Sequence, residues 1–147
     1  MNDAVRILQS VRRIEQCVEL YSKRLVQLYQ VTTPQLVALL TIAEMGACTQ
    51  SAIGKAIYLS PSTVVGIVDR LEEKGLVQRA RATQDRRQVY VHLTDKGREL
   101  LSLSPSALPE GFSLALQMLS AEERATLMVT LERFTELLEA KVPTPGI

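Results

Sequence analysis

The chain has 147 residues, of which 46% are hydrophobic and 22% are charged, and its formal net charge is +1. This composition is typical of one soluble globular domain that is long enough to bury a core. Aromatic residues make up only 4%, which argues against an aromatic cage or a base-stacking platform. No apolar run approaches the roughly 18 residues that a membrane span requires. We therefore expect no membrane partner. Two widely separated cysteines, Cys17 and Cys48, form no disulfide framework, which favours a reduced cytoplasmic location.

The first thirty residues carry apolar side chains at alternating spacings of four and three, namely Ile7, Val11, Ile14, Val18, Tyr21, Leu25 and Leu28. This spacing predicts a helix whose apolar seam packs on another helix. A second seam near the C-terminus follows a capping box formed by Ser120 and Glu123, and it comprises Leu127, Leu131, Phe134 and Leu138. The helices of residues 1–30 and 112–141 could pack on each other or pair across a two-fold axis. Their length favours a homodimer.

Helix caps divide the middle of the chain. Thr33-Pro34 predicts the start of a helix that ends at Gly46, and Thr49 predicts the start of a short one. Ser60-Pro61 repeats the combination of a cap and a proline, and that helix ends at Gly75. These signals predict three consecutive helices, with Cys48 in a turn.

A two-stranded hairpin is predicted over residues 76–94. Its second strand alternates, with Val89, Val91 and Leu93 on one side and Gln88, Tyr90 and His92 on the other. A short helix, a turn, a second helix and a hairpin make a winged helix-turn-helix. We therefore predict a mostly α fold with a small β-hairpin, in which residues 33–101 form the winged unit and residues 49–75 its helix-turn-helix.

Charge is concentrated in this predicted wing. The segment 74–87 holds five bases and one acid, whereas residues 120–141 hold five acids and three bases. A local basic patch attracts polyanions whatever the overall charge of the chain. A polyanionic partner is therefore expected, and the predicted winged helix-turn-helix indicates double-stranded DNA.

Three stretches, TPQLVALL, LSPSTVVGIVDRLEEKGLV and DRRQVYVHLTDKG, resemble the MarR family of bacterial transcriptional regulators. The segments SKRL, VTTPQL and LPEGF are similar to a branch of that family that includes osmolyte-gene repressors. The resemblance implies a homodimer whose terminal helices interlock and whose winged domains straddle pseudo-palindromic DNA. It also implies a repressor that a small-molecule effector or cysteine oxidation releases, although the sequence does not identify the effector.

The helix after Ser60 has two distinct faces. Val64, Ile67, Val68 and Leu71 form the expected core stripe, and Ser62, Gly66, Asp69 and Glu73 lie opposite. Family members often carry Thr-Arg or Ser-Arg where this chain has Val65-Gly66. We hypothesise that Val65 and Thr63 pack on thymine methyl groups, which predicts AT-rich half-sites.

In the wing, we expect Asp85 to orient Arg87 toward the minor groove. The remaining wing arginines are expected to meet phosphates. The predicted DNA-binding residues are Thr49, Gln50, Ser60, Pro61, Ser62, Thr63, Val65, Gly66, Arg70, Arg79, Arg81, Arg86 and Arg87.

Other chemistry has little support in the sequence. Cys17 lies one turn before Tyr21 and is either a buried apolar filler or the thiol of a redox-sensing repressor. His92 has no partner at metal-ligand spacing, and no motif indicates a cofactor or an enzyme. A helical interaction module with a degenerate winged domain is the third alternative, and it would lack arginine in the wing.

Overall fold

The computed structural model describes residues 2–85, 87–103, 105–109 and 111–141. Within them the elements run in the order α1 (Asp3–Tyr29), α2 (Thr33–Met45), β1 (Cys48–Thr49), α3 (Gln50–Ile57), α4 (Pro61–Glu73), β2 (Val77–Arg81), β3 (Val89–Leu93), α5 (Asp95–Ser102), α6 (Phe112–Met118) and α7 (Ala121–Lys141). The predicted mostly α architecture with a small sheet is confirmed. The chain divides into two compact units, the first ending at Pro109.

The core of the first unit lies between α2, α3, α4 and the sheet. Its apolar side chains are almost fully removed from solvent and include Leu36, Leu39, Ile42, Ile53, Val64, Val68, Leu71, Val77 and Val91. Burial of this apolar surface is the main favourable term that holds the helices on the sheet. Because α4 and β2 share this core, it fixes the position of the hairpin beside the helix.

The predicted caps of α3 and α4 are confirmed: the side chains of Thr49 and Ser60 each accept a hydrogen bond from a backbone N–H of the first turn. Thr94 caps α5 in the same way. The prediction for α2 is wrong by one residue. Its N-cap is Thr32, which forms a reciprocal capping box with Gln35, three positions later. The Thr33 hydroxyl instead lies 2.9 Å from that of Ser22 on α1.

The sheet has three strands in the order β1-β3-β2 rather than the predicted two. Cys48 and Thr49 pair with Val91 and Tyr90 of β3, so Cys48 is buried in a strand and not in a turn. Two residues are too few to give an alternating pattern in the sequence, which is why β1 was not predicted.

Residues 93–97, which read LTDKG, attach β3 to the segment that follows α4. The Thr94 N–H donates to the Leu76 carbonyl at 3.1 Å, and its hydroxyl donates to the Gly75 carbonyl at 2.6 Å. A Cβ at Gly97 would overlap the Leu76 carbonyl oxygen. Glycine is therefore required at position 97 for this close approach.

The apolar seam of α1 serves two purposes. Leu25 is 2% exposed and belongs to the core of the first unit. Tyr21 packs against that core and donates its hydroxyl to the Ser106 carbonyl. Ile7, Val11 and Ile14 remain exposed. Two seam residues, Tyr21 and Leu25, are therefore used within the chain, so the seam is not available to a partner along its whole length.

In the second unit, α6 and α7 are separated at Leu119 and Ser120. The predicted capping box is confirmed: the Glu123 N–H donates to the Ser120 hydroxyl at 3.0 Å, and the Ser120 N–H donates to the Glu123 carboxylate at 3.1 Å. The α7 seam is 41–49% exposed and comprises Leu127, Leu131, Phe134 and Leu138. Within the described residues, no single helix is long and apolar enough to cross a membrane.

Candidate nucleic-acid interface

Helix α4 presents the two predicted faces. Val64, Val68 and Leu71 are buried and Ile67 is half-buried. The opposite face is exposed along its whole length, with small residues in the N-terminal half and acids in the C-terminal half, namely Ser62, Gly66, Asp69 and Glu73. The end that carries the positive pole of the helix dipole is therefore the uncharged end.

Hydroxyl groups cluster at the start of α4. The Ser60 Oγ lies 2.8 Å from the Thr63 Oγ1 and 3.3 Å from the Ser62 Oγ, and it also accepts from the Thr63 N–H. One turn later, Val65 is 40% exposed, and a Cβ built on Gly66 would meet nothing within 4 Å. This part of the helix can approach another surface closely, because no long side chain stands in the way.

A cleft of about 310 Å³ lies between α3 and α4. Its walls combine apolar and polar side chains, namely Gln50, Ser51, Gly54, Lys55, Leu59, Pro61 and Val65. In the turn beside it, Tyr58 is 94% exposed and has a left-handed backbone with φ of 57°. Ser51 and Lys55 in the lining, and Tyr58 beside it, were not among the predicted site residues. Neither apolar periodicity nor a helix cap marks them in the sequence.

Arg79 on β2 is held in a network that corrects its expected role. Its guanidinium lies 2.7 Å from Asp69 and 3.0 Å from Glu72, and its Nε donates to the Gln50 Oε1 at 2.9 Å. Because the Arg79 side chain is only 22% exposed, it joins β2 to α3 and α4 rather than standing free for phosphates. Gln50 is engaged in the same network. The single positive charge of Arg79 offsets part of the charge of the two α4 acids, which reduces their repulsion of an anion.

The wing tip contains the contact that the sequence predicts. The Asp85 Oδ1 accepts from the backbone N–H of Arg87 at 3.0 Å and from its Nε at 3.2 Å. The Arg87 side chain is 92% exposed, so the carboxylate orients a guanidinium that faces solvent. Arg70 and Arg81 are exposed, and Arg86 lies outside the described residues.

The two cysteines differ in environment. Cys17 is exposed on α1 in the single chain, which favours an accessible thiol over a buried filler. Cys48 is buried, and burial raises the pKa of its thiol. Among the described residues, no group of three metal-ligating side chains comes together.

Comparisons with known proteins agree with this arrangement. Residues 31–89 match the model of the MarR family. The organic hydroperoxide resistance transcriptional regulator of Bacillus subtilis (strain 168) is 33% identical over 119 residues, which cover 81% of this chain and 80% of that relative.

Two solved structures are also similar. Reduced AbfR bound to DNA has a TM-score of 0.70 at 25% identity, covering 92% of this chain and 93% of that one. The PcaV transcriptional regulator from Streptomyces coelicolor, in complex with its natural ligand, has a TM-score of 0.71 at 26% identity, covering 95% and 98%. With its helix-turn-helix and wing, the chain therefore belongs to the MarR family of DNA-binding transcriptional regulators.

Proposed function

We propose that the chain acts as a homodimer that binds pseudo-palindromic, AT-rich operators and represses transcription. The observation that carries this proposal is the open, uncharged N-terminal half of α4 beside a wing that displays Arg87. A helix of this kind enters the major groove with its N-terminal residues against the base edges. The exposed guanidinium suits the narrow minor groove of A·T tracts, which attracts arginine.

The AT preference follows from the side chains that α4 offers. Its first six residues, 61–66, read PSTVVG and contain no Arg, Asn or Gln, the side chains that discriminate guanine and adenine by paired hydrogen bonds. Val65 and the methyl group of Thr63 can make apolar contact with thymine methyls. The remaining sequence preference then comes from DNA shape and deformability.

The homodimer is supported by the apolar side chains that remain on the long helices. In the single chain, Ile7, Val11 and Ile14 on α1 are 38–49% exposed, and α7 has a comparable seam. Covering such residues on a second copy removes apolar surface from water. A two-fold dimer presents two copies of α4, which require half-sites about one helical turn apart.

Repression is proposed because a dimer on such a site excludes other proteins from an overlapping promoter. Release by a small molecule is proposed by analogy with the ligand complex of PcaV. The proposed place of action is the cytoplasm, in association with the nucleoid.

The interaction module with a degenerate wing is not proposed, because the wing retains the exposed Arg87.

Thiol sensing is a second candidate, favoured by the exposure of Cys17 and by the hydroperoxide-resistance relative. If Cys17 is the sensor, organic hydroperoxide should lower the DNA affinity of the wild type, and reductant should restore it. Cys17→Ser should then be insensitive, while Cys48→Ala stays sensitive. An equal response of wild type and Cys17→Ser would eliminate this candidate.

Selection from random duplex DNA tests the proposed function. We expect inverted repeats with AT-rich half-sites whose centres lie about 10 base pairs apart. Arg87→Ala should return sites with weaker A·T bias at the flanks, whereas Arg12→Ala, an exposed arginine of α1 outside the proposed DNA-binding residues, should return the wild-type sites. Enrichment of GC-rich sites, or of no site, would contradict the proposal.

A further inference from the structure

Lys74 is the C-cap of α4, at the opposite end of the helix from the small residues, and it links three elements. Its ammonium donates to the Gln30 carbonyl at 2.7 Å and to the Gln35 Oε1 at 2.8 Å. Gln30 is the C-cap of α1, with a left-handed backbone, and Gln35 belongs to the capping box of α2. One side chain therefore joins the recognition helix to the junction between α1 and α2.

These contacts are stronger than ordinary surface hydrogen bonds. The donor is charged, which makes each bond shorter and stronger than a neutral one. The carbonyl of Gln30 lies at the negative end of the α1 dipole, which favours a cation. Gln35 is only 7% exposed and its Oε1 also accepts from the Thr32 N–H at 3.2 Å, so its position is fixed. Burial, and secondarily Arg70, lower the pKa of Lys74, in agreement with a partly desolvated ammonium.

We propose that Lys74 is a positioning residue that fixes the angle between α1 and α4, and thereby sets the spacing of half-sites that the dimer accepts. The inference rests on the proposed function, because α1 must carry the dimer contacts and α4 must read the DNA. Lys74 itself need not touch DNA.

The length of α1 makes the angle important. Ile14 lies 16 residues from Gln30, which is about 24 Å along a helix. A tilt of about 8° at the Gln30 end then displaces Ile14 by about 3.4 Å, the rise of one base pair. The apolar contacts of Leu25 hold α1 on the core without strong directionality. The hydrogen bonds of Ser22 and Tyr21 join α1 to α2 and to the segment after α5, whereas the Lys74 bond to Gln30 is a directional contact between α1 and α4. Loss of the Lys74 bond should therefore broaden the range of accepted spacings.

The test uses duplexes that carry the selected half-site as an inverted repeat, with the spacing varied in steps of one base pair around the optimum. The readout is the ratio of the affinity at the best spacing to the affinity one base pair away. This ratio cancels any general loss of charge or of folded protein. Lys74→Met should lower the ratio about fivefold relative to the wild type.

Lys96→Met is the matched control, because Lys96 donates to the Lys74 carbonyl at 2.8 Å and its removal changes the net charge equally. It should leave the ratio unchanged. A wild-type ratio in Lys74→Met, or an equal fall in Lys96→Met, would overturn the inference alone. A wild-type protein that bound none of the duplexes would overturn the proposed function, and this inference with it.

Discussion

Gly66 is a position where stability and binding should respond in opposite directions. A Cβ there meets nothing within 4 Å in the free protein, and α4 is helical on both sides of it. Gly66→Ala should therefore raise the free energy of unfolding by roughly 0.5–1 kcal/mol. It should also lower the DNA affinity, because the added methyl lies on the face proposed to approach the groove. Urea unfolding and fluorescence anisotropy with the selected duplex measure the two effects.

Gly97→Ala is the contrasting variant. Its Cβ would overlap the Leu76 carbonyl oxygen, so unfolding should become easier rather than harder. A Gly66→Ala protein with wild-type DNA affinity would show that close approach at this position is unnecessary for binding.

Asp85 should affect selectivity and affinity differently. It orients Arg87 through two hydrogen bonds, yet its own charge repels phosphates. Asp85→Ala should therefore leave or raise the affinity for random duplex DNA, while the preference for AT-rich flanks falls roughly threefold. Competition binding with AT-rich and GC-rich flanks gives both values. Asp95→Ala, on an exposed acid of α5, is the charge-matched control.

Arg79 is expected to stabilise the fold rather than contact phosphates. A double-mutant cycle with Arg79→Ala and Glu72→Ala should give a coupling of about 1 kcal/mol, discounted for the partial exposure of Glu72. The exposed pair Arg12 and Glu15, at 3.3 Å, should give below about 0.5 kcal/mol in the same cycle. Equal couplings for both pairs would refute the structural assignment of Arg79.

At the level of elements, local signals in the sequence were sufficient for most of the fold. Caps such as Ser60 and Thr94 depend on bonds within one turn, so the start of a helix can be predicted from neighbouring residues. The faces of α4 follow from apolar periodicity in the same way. Strand β1 and the Arg79 network could not be predicted, because each depends on partners far along the chain. The contact of Asp85 with Arg87 was predictable because it spans only two residues.

Helix α1 illustrates the limit of periodicity. Its heptad pattern is continuous, yet Leu25 belongs to the core of its own chain while Ile14 is exposed. A repeat marks which side chains must be covered but not what covers them. The division of the seam appears only when tertiary contacts are known.

This division leads to a prediction for the dimer. Ile14→Glu should weaken association by roughly 2 kcal/mol or more, because it places a charge in the proposed interface, and it should leave the winged core folded. Leu20→Glu lies off the seam at 69% exposure and is the control. Sedimentation equilibrium gives the association constants. Identical values for the two variants would place the interface elsewhere on the chain.

Two chains are expected to act together on DNA. Each winged unit offers one α4 and one Arg87, and one short half-site gives only a small number of base contacts. Linking two units in a dimer raises the overall affinity because the second half-site binds intramolecularly. DNA recognition and dimerisation are therefore expected to be lost together, and Ile14→Glu should show both losses.

The most direct test is the stoichiometry and affinity of the wild-type protein on the selected duplex, measured by native mass spectrometry and anisotropy. We predict two chains per inverted repeat, and binding to a duplex with a single half-site that is at least about 100-fold weaker. One chain per duplex, with equal affinity for one and two half-sites, would contradict the account of a dimer that reads DNA through α4 and the wing.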